Sequence, residues 1–291
     1  MEFVAENLAA SIQPIPQPGS GTFQLTSREV FGAGDIARML KLPKSEYAFE
    51  IARQTVTIHE VTTGTSPWRA SRDSDVLLLG DSFANIFSLA ALGWGESAGF
   101  AEHLSHALGK PLDCILRNSD GAFATREILS RELARGRDRL AGKKLVIWEF
   151  AARELAFGDW KMLEMKLGQP APAKFFVPKA GETVTAHGTV EAISAVPRPG
   201  TVPYKDHVLS LHLTDLTIEG RDETAGLEAV VYAESMRDNI LTPTARFRAG
   251  DRVTLRLRPW SDVSDRHEKT NRSEIDDPAV QLEEPCWGEP K

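Results

Sequence analysis

Short unbroken apolar runs punctuate the first half of the chain: Asp75-Val76-Leu77-Leu78-Leu79-Gly80, Asp113-Cys114-Ile115-Leu116-Arg117-Asn118 and Leu145-Val146-Ile147-Trp148-Glu149-Phe150. Such runs fit strands buried on both faces, as in a parallel sheet. Between them the spacing turns helical: Ala84 to Leu92 (Ile86, Phe87, Leu89, Ala90), Gly99 to Leu108 (Phe100, Leu104, Leu108), and Thr125 to Gly136, closed by its glycine. Strands alternating with helices predict a parallel α/β sheet. Upstream, Phe3, Val4, Leu8 and Ile12 share one face of an N-terminal helix that the loop Pro14–Gly21 ends. A short helix over Gly34–Leu42 (Asp35 as N-cap, Pro43 as stop) and an alternating strand over Gln54–Val61 come next.

The pattern changes at Gly168-Gln169-Pro170-Ala171-Pro172-Ala173. Beyond it, period-two alternation takes over: Val184 to Ala192, Leu209 to Leu213, Leu227 to Ala233 and Val253 to Leu257, with Ala279-Val280-Gln281-Leu282 as a fifth strand. A short helical link over Ser235–Leu241 joins the third and fourth. These elements predict a small OB-like barrel, with a β-sandwich as the alternative. The expected organisation is an α/β domain over 1–167, a linker over 168–180 and a β-barrel over 181–285.

Composition adds bounds. The 291 residues suffice for two cores, and 42% hydrophobic with 26% charged residues is an ordinary globular balance. A net charge of −7 gives no general attraction to nucleic acid or anionic lipid, and an acidic polysaccharide would need a local basic patch. Cys114 and Cys286, read as a buried thiol and a tail thiol, form no disulfide framework or metal-ligand spacing. Neither a membrane span nor a signal peptide is visible, and no metal or cofactor is expected.

The chemistry concentrates at Gly80-Asp81-Ser82-Phe83, between a buried strand and a helix. Acyl transfer needs a nucleophile at a strand's carboxyl end, on a tight turn where backbone N–H groups can stabilise an oxyanion. The bland alternative makes Asp81 or Ser82 a helix N-cap and nothing more. The block from Asp75 through Lys161 resembles the SGNH-hydrolase-like domain of bacterial alginate O-acetyltransferases of the AlgJ/AlgX type. The matching residues are Leu77 to Phe83, Arg117-Asn118 with Gly121-Ala122, and Val146 to Phe150. The resemblance implies an SGNH-like sheet flanked by helices, with Ser82 moving an acetyl group onto a polysaccharide hydroxyl in the periplasm. The implied partners are a polysaccharide acceptor and an acyl donor, the latter supplied by a membrane acetyltransferase system. Gly80, Asp81, Arg117, Asn118 and Gly121 become site-lining candidates, with Asn118 and Gly121 joining the Ser82 amide as oxyanion donors; Asn118 also reads as a plain turn residue.

A serine nucleophile needs a base. The family's Asp-x-His would precede the serine strand, and none does here. The chain opens inside what reads as the helix after that motif, so the expectation is a start placed too late or a natural fragment. Internal substitutes are His59, at a strand end, and Asp265-Arg266-His267, in a polar stretch read as a loop. His103 and His106 lie three apart on one helix, more like a solvated face than a metal pair. Without a base, roughly 10⁶ in kcat, about 8 kcal/mol, would be lost. A second function class is therefore a carbohydrate-binding or scaffold protein. It would use Trp94, Trp148, Trp160 and Trp260 for stacking, or Arg252, Arg256 and Arg258 for uronates, against the blander readings of core tryptophans and a solvated strand face.

Overall fold

The computed structural model describes residues 1–12, 23–32, 53–64, 66–89, 92–118, 120–169, 173–221 and 226–291. The loop expected over 14–21 and the helix over 34–42 lie outside them. The chain divides into two compact units, Met1–Gly168 and Gln169–Lys291.

In the first unit, α1 (Glu2–Ser11) precedes an antiparallel sheet of β1 (Phe23–Gly32), β2 (Gln54–Thr63) and β3 (Ser66–Pro67). A parallel sheet comes next, in the order β5-β4-β6, from β4 (Val76–Gly80), β5 (Asp113–Leu116) and β6 (Leu145–Trp148). Its helices are α2 (Ser82–Asn85), α3 (Phe100–Leu108), α4 (Ala124–Ala134) and α5 (Glu154–Phe157). β4 is buried throughout and divides two cores. Val76 and Leu78 pack with Phe100, Ala101 and Leu104 of α3 and with Ala5 and Ala9 of α1. Leu77 and Leu79 pack with Ile128, Leu129 and Leu133 of α4. Alternate side chains of a strand leave opposite faces, so one apolar run feeds both cores.

Three expectations change here. The helix read over Ala84–Leu92 is found as α-helix only over Ser82–Asn85 and continues as turns over 86–88, with Ile86 still in αR geometry. The α1 face is only partly the expected one: Phe3 and Val4 are exposed, Leu8 packs on the core together with Met1, and the small Ala5 and Ala9 are the buried residues of the contact. His103 is buried beneath that packing, so the α3 histidines are not a solvated face.

At the amino end of the parallel sheet, Asp113 is buried between Arg139 (Nη2 to Oδ1, 2.6 Å) and Lys143 (Nζ to Oδ2, 3.1 Å), and Arg139 also grips Glu132 at 2.9 Å. Buried charges persist only when paired.

The second unit carries β7 (Lys174–Phe175), β8 (Val184–Ile193), β9 (His207–Ile218), β10 (Leu227–Arg237), β11 (Ile240–Leu241), β12 (Arg252–Pro259), β13 (Asn271–Ser273) and β14 (Pro285–Pro290). β8, β9, β10, β14 and β12 pair in turn, and β12 returns to β8, closing a five-stranded barrel-like sheet. Leu209, Leu211, Leu213, Val231, Leu255 and Leu257 fill it. The fifth strand is β14, not Ala279–Leu282. Residues 278–281 form the helical turn α7 (Pro278–Gln281), where Asp277 O accepts from Val280 N and Gln281 N. Pro285, Gly288 and Pro290 hid the true strand, yet a Cβ at Gly288 would stand 2.4 Å from Val231 Cγ1. The helical link is the 3₁₀ turn Pro243–Arg246, since β10 runs on to Arg237 and reverses through Asp238 and Asn239, both at positive φ. Asp265 and His267 lie on a helical turn, α6 (Ser264–His267), not in a loop. Cys286 is no tail thiol: it is buried in the barrel, and burial pushes its thiol up to about 12.

Asp113→Ala leaves Arg139 and Lys143 buried without their shared carboxylate. It is expected to destabilise the first unit by about 3–5 kcal/mol. Urea unfolding of the full chain should show that loss with the second unit's transition unmoved.

Candidate active site

The site is built from the carboxyl end of β4, in the middle of the parallel sheet. The chain crosses from β4 to β5 on one side, then to β6 on the other, so the strand order reverses at β4. In open α/β sheets ligands bind outside the carboxyl ends of strands at such a reversal. A side chain at Gly80 would be crowded: a Cβ would lie 2.9 Å from Leu116 Cδ2, 3.0 Å from Ala84 Cβ and 3.2 Å from Glu149 Oε2. Asp81 comes next, in extended geometry, as N-cap of α2. Its Oδ1 accepts from Phe83 N at 2.7 Å and its Oδ2 from Ala151 N at 2.9 Å, while its own N–H donates to Glu149 Oε2 at 2.9 Å. Ser82 is the first residue of the helical turn and half-exposed. Capping falls to Asp81, and among the described residues no hydrogen bond engages Ser82 Oγ.

The loop after β5 joins this turn. Arg117 N donates to Gly80 O at 2.9 Å, and Asn85 Nδ2, one helical turn beyond Ser82, donates to Asn118 Oδ1 at 2.7 Å. Asn118 keeps its N–H₂ group as a donor. The Arg117 side chain folds onto Asp120 at 3.0 Å. Gly121 has a φ of +74° and lies against Glu154, whose Oε2 accepts from Ala122 N at 3.1 Å. Gly80, Asp81, Ser82, Arg117 and Asn118 are thus adjoining parts of one edge, and Gly121 is engaged with Glu154.

Sequence reasoning missed Asn85 and Glu149. Burial pushes Glu149 up to about 7; the Asp81 N–H pulls the other way, and the neighbouring Asp81 carboxylate adds to the rise. The signal was a carboxylate directly after the third apolar run, where a strand of a parallel sheet ends.

Two of the candidate bases, His59 and His267, are engaged by other side chains. His59 Nδ1 bonds Glu2 Oε2 at 2.7 Å, joining β2 to α1; that bond, ahead of burial, holds the Glu2 carboxyl below its ordinary range. In the second unit, the His267 ring stacks on Trp287 at 4.1 Å. Arg256 and Arg258 both pair with Glu289. Trp148 and Trp160 form an aromatic trio with Phe150, Trp94 packs against Val30, Ile58 and Ala98, and Trp260 packs with Tyr232 and Trp287. No three His, Cys, Asp or Glu side chains among the described residues converge as metal ligands. No helix among them is long and apolar enough to cross a membrane.

No family model and no curated protein matches the chain. Among solved structures, it is similar to the O-acetyltransferase domain of Pseudomonas putida AlgJ over 53% of this chain and 49% of that one, with 19% identity and a TM-score of 0.38. It is also similar to Pseudomonas aeruginosa AlgX over 89% of this chain and 61% of that one, with 12% identity and a TM-score of 0.35. The chain thus spans less than two thirds of either. At these TM-scores neither likeness bears on the site, which stands on its own geometry.

Burial lowers His103 to about 4 from 6.5. A group bound to fewer protons folded than unfolded makes stability rise with pH. Its contribution is therefore complete above about 6.5 and is lost as pH falls towards about 4. In His103→Leu, the first unit's urea midpoint is expected to fall less steeply across that window.

Proposed function

We propose that the first unit is a serine-dependent acyl-transfer domain, moving an acetyl group onto a polysaccharide hydroxyl or hydrolysing such an ester, with Ser82 as nucleophile. One observation carries the reading. The turn after the central parallel strand is built from Gly80, Asp81 and Glu149 so that, among the described residues, the Ser82 hydroxyl has no hydrogen-bond partner at the sheet's carboxyl edge. In the reaction Ser82 Oγ attacks the acyl carbonyl, its proton leaves with the donor's leaving group, and an acyl–serine ester forms; an acceptor hydroxyl or water then attacks that ester, gives its proton back to Ser82 Oγ and departs as the acetyl ester or as acetate. The Asn118 N–H₂ group and the Ser82 amide are the donors assigned to the developing oxyanion. The polysaccharide acceptor, an alginate-like exopolymer, and the periplasmic setting come from the motif resemblance of Leu77 to Phe83 to the O-acetyltransferases.

The second reading, a binding or scaffold protein with an impaired centre, is favoured by His59, which is held by Glu2. The barrel gives that reading less than the sequence suggested. Strands two and three of an OB-like barrel are its usual binding face. Here the outward residues Val208 of β9 and Val230 of β10 are covered by Val263 and Trp287, and by Ile275 and Val280.

The test is turnover of p-nitrophenyl acetate by the full chain. Ser82→Ala is expected to bring turnover down to that of the ester in buffer. Equal turnover by wild type and variant, with retained polysaccharide binding, would establish the binding module instead.

A further inference from the structure

Asn85 takes no part in the chemistry above, yet its side chain binds the Ser82 turn to the loop after β5. It is the last residue of α2, three positions beyond Ser82, and only 3% exposed. Its Nδ2 donates to Asn118 Oδ1 at 2.7 Å, while among the described residues its own Oδ1 is buried without a hydrogen-bond partner. Asn118 is exposed, on a bend of the chain. Two amides that meet at this distance must set a donor against an acceptor, so the orientation of one fixes that of the other. A buried amide has little room to turn, whereas the terminal torsion of an exposed one is broad. Asn85 therefore sets the pair and Asn118 follows. Were Asn85 turned over, an N–H₂ group with two donors would lie where a single carbonyl oxygen is now buried. Asn118 would then have to spend its own N–H₂ group on the pair.

We propose that Asn85 is a positioning residue of the acyl-transfer site, holding Asn118 by its carbonyl so that the N–H₂ group is the end left for the substrate. The proposal rests on the acyl-transfer reading, in which that group stabilises the oxyanion formed when Ser82 attacks. Asn85 touches no substrate and acts through Asn118. α2 carries both Ser82 and Asn85, and Arg117 N donates to Gly80 O at 2.9 Å. The nucleophile's turn and the loop bearing Asn118 are thus tied twice, once by backbone and once by side chain. The backbone tie sets where Asn118 stands, and the side-chain tie sets which way its amide points. A donor of fixed orientation needs no reorganisation as charge develops, whereas a freely turning amide offers its oxygen to that charge part of the time. The unpartnered Asn85 Oδ1 is a stability cost that a residue selected for packing alone would not carry.

The experiment uses the full chain and has two arms, of which only the second needs turnover. In the first, nitrogen relaxation follows the Asn118 side-chain amide, identified by its loss in Asn118→Ala. Its order parameter is expected to lie well above about 0.6 in the wild type and below that value in Asn85→Ala. An Asn118 amide already mobile in the wild type, or equally rigid in Asn85→Ala, overturns the proposal. In the ester assay, Asn118→Ala is expected to lower kcat about 10²-fold with KM little changed. Asn85→Asp offers a carboxylate that accepts, which turns the Asn118 N–H₂ group inward. It is expected to lose as much as Asn118→Ala, and to cost nothing further in the Asn118→Ala background. Losses that multiply in the double variant, or an Asn85→Asp protein as fast as wild type, overturn the proposal. If Asn85→Asp fails to fold, Asn85→Ala replaces it in the same cycle, with a smaller loss that must likewise vanish in the Asn118→Ala background. If Ser82→Ala turns over ester as fast as wild type, the acyl-transfer reading fails by itself, and the relaxation arm still decides whether Asn85 orients Asn118.

Discussion

β4 is buried on both faces, and a side chain at its carboxyl end would be crowded. Leu77 and Leu79 are taken by the core under α4, Val76 and Leu78 by the core under α3 and α1, so the strand can shift towards neither side. Interiors packed to this density transmit position. The turn at Gly80 is consequently fixed by Leu116 of one neighbouring strand, by Ala84 of its own helix and by Glu149 beyond the other strand. Asp81 and Ser82 are presented at a defined point of the sheet edge because the strand beneath them has no freedom.

The two ends of that sheet are built differently. At the amino end each buried charge is matched by an opposite one: Asp113 with Arg139 and Lys143, Asp75 with Lys110 and Lys144. At the carboxyl end burial pushes the Glu149 carboxyl up beside Asp81, and among the described residues the buried Asn85 leaves its Oδ1 without a hydrogen bond while its Nδ2 reaches Asn118. A buried carboxyl without a counter-charge and an unsatisfied amide both cost stability. The polarity of the sheet thus separates an end of paired charges from an end whose polar groups sit in costlier settings.

The runs of β4 and β5 were legible because a strand buried on both faces writes itself as unbroken hydrophobicity; the third run forms β6, yet it is not the buried strand expected, since Val146 is exposed. Four barrel strands were legible because alternation marks one inward face. Other features depended on contacts between distant residues. β14 reads as a string of breakers, and only the approach of Val231 to Gly288 explains why a glycine belongs in it. α1 looked amphipathic through Phe3 and Val4, but close helix packing selected its alanines, which carry little hydrophobic signal. Glu149 and Asn85 were invisible as site residues for a similar reason. Each matters through a partner far along the chain, Asp81 and Asn118, and no local pattern records such a pairing.

Ser82 itself is the residue that folding explains least. The cap of α2 is Asp81, whose carboxylate serves Phe83 N and ties down Ala151 N, so nothing in the turn calls for a hydroxyl at the next position. Alanine would serve the first turn of a helix at least as well on intrinsic preference. Gly80 yields space, Asp81 caps, Ala84 fills the core and Asn85 binds the β5 loop. Ser82 and the exposed Phe83 are the two residues of the row whose side chains the packing does not dictate, and they stand where a parallel sheet presents groups to ligands.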